Sequence, residues 1–444
     1  MRRSTLAGAF DRLLGMLVFL VLAALSPLAL KAEFRAAAVK IDITPSNVQP
    51  LLGYGARNST GVHDPLFHRI AALDDGKLQF FLVSTDIALT SPSVFDDVCA
   101  QLQKETGIQR HQVWWASTHT HSAPEVGPPG LPKAFMPERY KHQPDMDYAN
   151  RVQRSLIDGI KEARAKLAPA RLAVGEGFAL ANINRRARDV DGRIRLGLNP
   201  YGPVDRRIGL IRLERADGTT IAAIANYAIH GTALSGANTL ISGDVPGIVA
   251  AYVEEKIRAP LLFVNGAAGD IAPIYSVYPD FRSAHITEFN VLLGDRILRA
   301  LDGLPKASGE VDLRTAETIV ETPRKASLGW ADDLAAYTRA GPDGSHLVRL
   351  PVRFLSLNSE TVIWAAPLEL FCEIALHVRQ QSPFSHTFFF GYINGWLGYL
   401  PTKQAFAEGG YEPNTSPFTD RAEEQLTESV IAFLQGWSRA EHSR

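Results

Sequence analysis

Residues 115–124 read WASTHTHSAP, and the apolar run Val113, Trp114, Trp115 and Ala116 leads straight into two histidines one residue apart. Four apolar residues in succession read as a buried strand, covered on both faces. Residues 117–122 should then leave the end of a sheet, where α/β proteins keep their sites. Side chains along a strand alternate with a period of two, so His119 and His121 are expected to point the same way. Two neutral imidazoles on one face can take a metal ion, or one can take it while the other handles protons. An H-x-H is also ordinary polar loop chemistry, so other donors must decide between these readings.

On both sides of this stretch the sequence alternates strand and helix signals. Residues 34–43 alternate as a strand, and 67–73 with 78–85 form a strand pair about the turn Asp74-Asp75-Gly76. Helices are expected over 93–105 and 147–166, with a Gly/Pro-rich segment at 127–132 between them that reads as a lid or substrate rim. Strands return at 171–175, 207–213 and 220–229, and a helix over 245–257 leads into a buried strand over 261–264. A polar, less regular section, 306–347, reads as an insertion or hinge. Strands at 352–357 and 361–365 and a helix over 368–381 follow. The order predicts an α/β fold in which mixed β-sheets are layered with helices. A single large catalytic domain over residues 36–437, with a zinc site at strand ends, is the economical reading.

The chain has 444 residues, 46% hydrophobic and 21% charged, with a formal net charge of -1. Such a composition buries a large core and excludes disorder. Without a Lys/Arg block it lacks the electrostatic footprint of a nucleic-acid binder. A small or lipid-like molecule is the expected partner, with peripheral membrane contact, and the oligomeric state is open. Residues 1–32 carry Arg2, Arg3 and Arg12, the apolar stretch 13–30, then Lys31 and Ala32. That is the layout of a secretory signal, or of an uncleaved N-terminal anchor. Either way the remainder is expected outside the cytoplasm, periplasmic or secreted. Cys99 and Cys372 are far apart and lack zinc-finger spacing, so a metal site must use His, carboxylate or Tyr. One disulfide and two unpaired buried thiols both fit.

Further donors stand at other strand ends. His230 closes the strand 221–229 and opens the loop HGTALSGANTLISGD; alone it reads as a loop histidine. Glu369 follows the strand 361–365, and in the first turn of a helix it would simply favour the free N–H groups there. Tyr399 and Tyr411 lie in a Gly- and aromatic-rich stretch, 391–413, that reads as a packing surface. Together, however, strand ends deliver His119, His121, His230 and Glu369 toward one sheet edge. Two histidines and a carboxylate, with a fourth oxygen donor and water, match a catalytic zinc site suited to amide or ester hydrolysis.

The motifs WASTHTHSAP, NINR (182–185), NYAIHGTALSGANTLISGD (226–244), NGAAGDIAP (265–273), APLE (366–369) and GYLPTKQAFAEGGYE (398–412) occur in that order. With KIDITP and HDPLFHRIAALDDG upstream, the sequence over roughly residues 36–420 resembles the neutral ceramidases. The resemblance implies a mixed α/β catalytic domain and one zinc ion held by His119, His230, Glu369 and Tyr399. It implies that His121 assists with the substrate or proton, that Arg185 binds or polarises the reacting group, and that Tyr411 is a second active-site tyrosine. The implied substrate is the amide of an N-acyl sphingoid base.

Two departures accompany the resemblance. The family's GDVSP motif supplies a serine, and here residues 269–273 read GDIAP, with Ala272 in its place. An alanine is neither nucleophile nor hydrogen-bond donor. That keeps open a zinc hydrolase acting on a different amide or ester, or a catalytically silent lipid-binding relative. The family's longer members also carry a C-terminal β-sandwich, whereas this sequence ends soon after the last motif; altered membrane engagement or stability is expected.

Overall fold

The run 113–116 is a strand: Val113–Ser117 is buried at every residue. Trp114 faces Phe80 and Phe390 with ring centroids 5.3 and 6.4 Å away. Trp115, on the opposite face, sends its indole N–H to Thr85 Oγ1 at 2.8 Å. Both faces are apolar because both are covered, which explains why the sequence shows no alternation there. The structure, a computed structural model, describes residues 33–137, 140, 143–274 and 285–442. The signal or anchor expected over residues 1–32 lies outside them. Among the described residues no helix is long and apolar enough to cross a membrane.

Three larger sheets make up the frame. The first orders Val113–Ser117, Gln79–Thr85, Phe67–Asp74, Arg35–Asp42 and Ala168–Pro169. The second orders Leu261–Asn265, Thr220–Tyr227, Arg207–Glu214 and Arg171–Phe178. The third orders Arg314–Pro323, His346–Ser356, Thr361–Ala365 and His386–Phe390, with Thr338–Ala340 also on His346–Ser356. Their inner faces share one core, in which Leu82 and Trp114 meet Ile224 and Val264 from the second sheet and Ile363 and Phe390 from the third. Helices cover the outer faces: Pro92–Thr106 and Met146–Ala165 on the first, Asp244–Ile257 and Asp295–Asp302 on the second, Cys372–Gln381 and Ala422–His442 on the third.

Each sheet is otherwise antiparallel but contains one parallel pair. Gln79–Thr85 pairs with Val113–Ser117, Thr220–Tyr227 with Leu261–Asn265, and Thr361–Ala365 with His386–Phe390. Parallel neighbours need a crossover, and here each crossover holds one α-helix. The helix ends follow local chemistry. Pro92 stands in the first turn of Pro92–Thr106, and Gly107 closes it at φ 75°, its N–H bonded to Gln103 O. Asp145 caps Met146–Ala165 by accepting from the N–H groups of Asp147 and Tyr148.

Several expectations change. Residues 306–347 are regular in part: Arg314–Pro323 pairs residue for residue with Leu347–Ser356, whereas 306–313 and 324–331 form neither strand nor helix. The strand looks irregular because it is an edge strand with much of its length half-buried or exposed. The helix expected over 368–381 begins only at Cys372, and Glu369–Leu370 is instead a short strand parallel to Tyr399–Leu400. Glu369 therefore serves no helix N-terminus. Cys99 and Cys372 are buried free thiols. The α/β class and the layering of mixed sheets with helices stand as expected.

Candidate metal centre

The three parallel pairs bring their C-terminal ends together. His119 lies two residues past Ser117, His230 three past Tyr227, and Glu369 four past Ala365. The backbone beyond Ser117 is not strand: His119 sits at φ 64°, in the left-handed region. The two histidines converge through that kink, so the period of two is not what aligns them. Gly231 permits the approach, because a Cβ there would lie 2.6 Å from His119 O. Gly53, at φ 109°, lies so close to His121 that a Cβ would meet its Cγ at 2.5 Å.

The imidazoles are held from behind. His119 Nδ1–H donates to Ala88 O at 2.8 Å, and His230 Nδ1–H donates to Ala268 O at 2.7 Å. A carbonyl only accepts, so Nδ1 carries the proton in both rings and each Nε2 presents its lone pair. Those atoms meet: His119 Nε2 is 3.1 Å from His121 Nε2 and 3.3 Å from Glu369 Oε2. His230 Nε2 is 3.0 Å from the same carboxylate oxygen yet makes no hydrogen bond, although fully buried. One ligand atom from each of His119, His121 and His230 lies within 4.8 Å of the others. In His119 and His230, lone pairs aimed at one point with the opposite nitrogens tied to main chain are what a bound divalent ion requires.

Electrostatics agree with that use. Burial, reinforced by His119 and His230, drives His121 well below its ordinary value. Burial and then the Arg185 charge lower His230 to about 3. Burial pushes the Glu369 carboxyl up, but His119 and His230 outweigh it and hold the group well below the usual range. Imidazoles that give up their protons on binding an ion, beside an ionised carboxylate, form a donor set with one negative charge. Trp396 Nε1–H donates to Glu369 Oε1 at 2.8 Å, and the Tyr392 hydroxyl reaches Oε2 at 3.4 Å. The Tyr392 ring stacks on His119 at 4.3 Å.

Beside this cluster stands an arginine–tyrosine layer. Arg185 is buried, its Nε–H donating to Glu412 Oε1 at 2.8 Å and a terminal N–H to the Tyr399 hydroxyl at 3.2 Å. Burial works against its charge, yet Tyr399 and Glu412 raise it well above its ordinary value. Tyr399 is pushed far up by burial and by Glu369, against Arg185. Tyr411 meets Tyr399 edge-on, ring centroids 5.7 Å apart. A cavity of about 50 Å³ opens above, with His119, His121, Glu369, Tyr399 and Tyr411 in its floor and walls. Leu52, Gly53, Tyr54, Leu89, Pro132, Met136, Tyr140 and Trp396 complete the lining. Pro132 thus puts the end of the Gly/Pro-rich segment 127–132 at the rim.

All seven candidate residues therefore fall in one neighbourhood: His119, His121, His230, Glu369, Tyr399, Arg185 and Tyr411. Sequence reasoning missed Tyr392, Trp396, Glu412 and Tyr54. For Tyr392 and Trp396 the glycines and aromatics of GYINGWLGYL (391–400) mark a place where rings pack against a tight turn, whereas nothing local marks the contacts of Glu412 or Tyr54. Ala272 is buried in the short strand Ile271–Pro273, opposite Ile183. It follows Ile271, whose carbonyl lies 3.1 Å from His230 Nδ1.

Residues 34–273, more than half the chain, match the family model described as neutral/alkaline non-lysosomal ceramidase, N-terminal. The chain belongs to that family. It is 26% identical over 256 residues to the neutral ceramidase of Pseudomonas aeruginosa, covering 54% of this chain and 37% of that protein. It is 26% identical over 256 residues to the neutral ceramidase of Mycobacterium tuberculosis, covering 53% and 38%. These alignments span under two fifths of the relatives' lengths. A crystal structure of the P. aeruginosa neutral ceramidase superposes with a TM-score of 0.73 at 20% identity, covering 92% of this chain and 75% of that one. The fold of this ceramidase-family chain is thus shared well beyond the matched sequence.

Proposed function

We propose that this ceramidase-family protein is a zinc-dependent hydrolase cleaving the amide bond of an N-acyl sphingoid base or a similar lipid amide. The observation that carries the reading is the convergence of three imidazoles, two of them buried, and one carboxylate beside an aromatic-lined cavity. In this reading residues 36–437 are the catalytic domain. Residues 1–32 direct export to the periplasm or the exterior, as a cleaved signal or a retained anchor.

His119, His230, Glu369 and Tyr399 are assigned to hold the ion. Zinc, when bound, supplies Lewis acidity that lowers the pKa of water and polarises a carbonyl oxygen. The chain's own side chains do the rest. Leu52, Leu89, Met136 and Trp396 give the cavity apolar walls, so a lipid amide sheds water on entering and turns its polar group toward the floor. The Arg185 guanidinium, steadied by Glu412 and aimed at the Tyr399 hydroxyl, places fixed positive charge where the amide oxygen gains negative charge. Tyr411, packed against Tyr399, is assigned a hydroxyl contact to the same oxygen. His121, at the cavity edge of the cluster, is assigned proton transfer to the leaving amine.

Ala272 favours a second reading, because the family's serine is missing. A zinc hydrolase acting on another amide or ester, or a lipid binder without turnover, keeps the centre and does not need that hydroxyl. Elemental analysis of the purified chain, with hydrolysis of a fluorescent N-acyl sphingosine with and without chelator, separates the readings. One zinc per chain with chelator-sensitive cleavage supports the first. Zinc without cleavage moves the assignment to the second, and a chain that takes up no zinc defeats both.

A further inference from the structure

Asn265 ends the strand Leu261–Asn265, and its side chain is fully buried between the histidine-bearing strand ends. Its Oδ1 accepts the N–H of Ile229 at 3.0 Å. Its Nδ2 donates to Ile229 O at 2.7 Å and to Thr118 O at 3.3 Å. Ile229 immediately precedes His230, and Thr118 immediately precedes His119. The main-chain carbonyl of Asn265 also accepts the N–H of Gly391 at 2.9 Å, next to the Tyr392 that stacks on His119. One amide therefore grips the peptide before each of two histidines, and those histidines come from two different sheets.

We infer that Asn265 is a positioning residue for the metal centre, fixing the separation and tilt of His119 and His230; the inference rests on the metal reading above. The side chain has to be asparagine. It must accept one hydrogen bond and donate two from a planar group of fixed length. Aspartate has the shape but no donors, and would set a second acceptor against the Thr118 and Ile229 carbonyls. Glutamine is one methylene too long for a site with no spare room. Rotation of either gripped peptide swings the imidazole that follows it, so loosening the amide spreads the donor atoms before it unfolds anything.

The test measures zinc affinity by competition with a chromophoric chelator, and the visible spectrum of the cobalt-loaded protein, for wild type, Asn265→Asp and Asn265→Ser. Asn226→Ala is the control. The Asn226 amide, on the neighbouring strand, makes two comparable bonds, to Val264 O at 3.1 Å in its own sheet and Phe389 O at 3.0 Å in the third, away from both gripped peptides. The expected result is metal affinity weaker by roughly 10- to 100-fold in the Asn265 variants, as for other residues that orient metal ligands. Their cobalt bands should also shift, while Asn226→Ala loses melting temperature but keeps wild-type affinity and spectrum. Wild-type affinity and spectrum in the Asn265 variants would overturn the inference, whatever their stability. Should Asn265→Asp fail to fold, Asn265→Ser, which leaves room for water, carries the comparison. A wild-type chain that binds neither metal at one equivalent refutes the metal reading itself, an outcome distinct from the first.

Discussion

The two sides of the candidate centre are held by different means. The histidine side is fixed by main chain: carbonyls of Ala88, Ala268 and Ile271 grip the imidazoles from behind, and His121 donates its backbone N–H to Gly231 O at 2.9 Å. The arginine–tyrosine side is fixed by side chains: Glu412 bridges Arg185 and Arg186, and Arg185 in turn orients the Tyr399 hydroxyl. A main-chain anchor survives most substitutions of the residue that supplies it. A side-chain anchor is lost with a single change. The histidine side should therefore fail when a ligand itself is replaced or when the Asn265 amide that holds the peptides before His119 and His230 is lost, whereas the other side rests on side chains throughout.

The largest effect is expected from His230→Ala. It removes a ligand whose backbone partners remain, so the chain should stay folded by circular dichroism but lose stoichiometric zinc and all measurable hydrolysis. Full zinc content in that variant would contradict the assigned ligand set. Next comes Glu412→Gln. It takes the negative charge from between two buried guanidinium groups, and breaking a buried pair costs on the order of 3–5 kcal/mol. Melting temperature and kcat should both fall while zinc content holds; a loss of zinc would show that the two sides are not separable.

Asp270 gives a pH test of the same division. It accepts from Cys372 N–H at 2.9 Å and Asn184 Nδ2 at 2.9 Å, on the side-chain-held flank. Burial raises its pKa to about 7 from an ordinary value near 3.8. The folded chain then holds a proton that the unfolded chain has already released between about pH 4 and 7. Stability should therefore decline as pH rises through that window, by at most a few kcal/mol. Thermal melts of Asp270→Asn should lack this slope, and an unchanged slope would assign it to other groups. The smallest effect is expected from Tyr392→Phe. It keeps the ring on His119 and deletes only a long 3.4 Å contact to Glu369, so zinc affinity should weaken a few-fold or less in chelator competition.

Much of this was legible in the sequence where local pattern and tertiary role coincide. The run ending at Ser117 had to be a doubly covered strand, and a histidine pair at its end had to face other strand ends. Glu369 was legible as a donor but not in its conformation. The apolar spacing of Leu370, Ile374 and Val378 extends the helix signal backward over a residue whose real partner, Tyr399, is thirty positions away. Arg314–Pro323 was missed because an edge strand tolerates polar residues that read as loop. The convergence of His119 and His121 was right for the wrong reason, since the left-handed turn at His119 is a tertiary outcome with no glycine to announce it. Tyr392, Trp396 and Glu412 matter only through long-range contacts, and no local periodicity encodes those.

The assigned ligands are residues 119, 230, 369 and 399, the first three following strands of three different sheets. No contiguous fragment shorter than that span contains them all. Nascent chain emerging up to His230 holds the three imidazoles but lacks the carboxylate, and lacks the third sheet that presses Tyr392 onto His119. Such long-range closure comes late in folding, because loop entropy must be offset before distant contacts form. On the metal and export readings proposed above, an ion would therefore be captured tightly only by a nearly finished molecule, and the metal supply where folding ends, not where synthesis begins, would determine what fills the site.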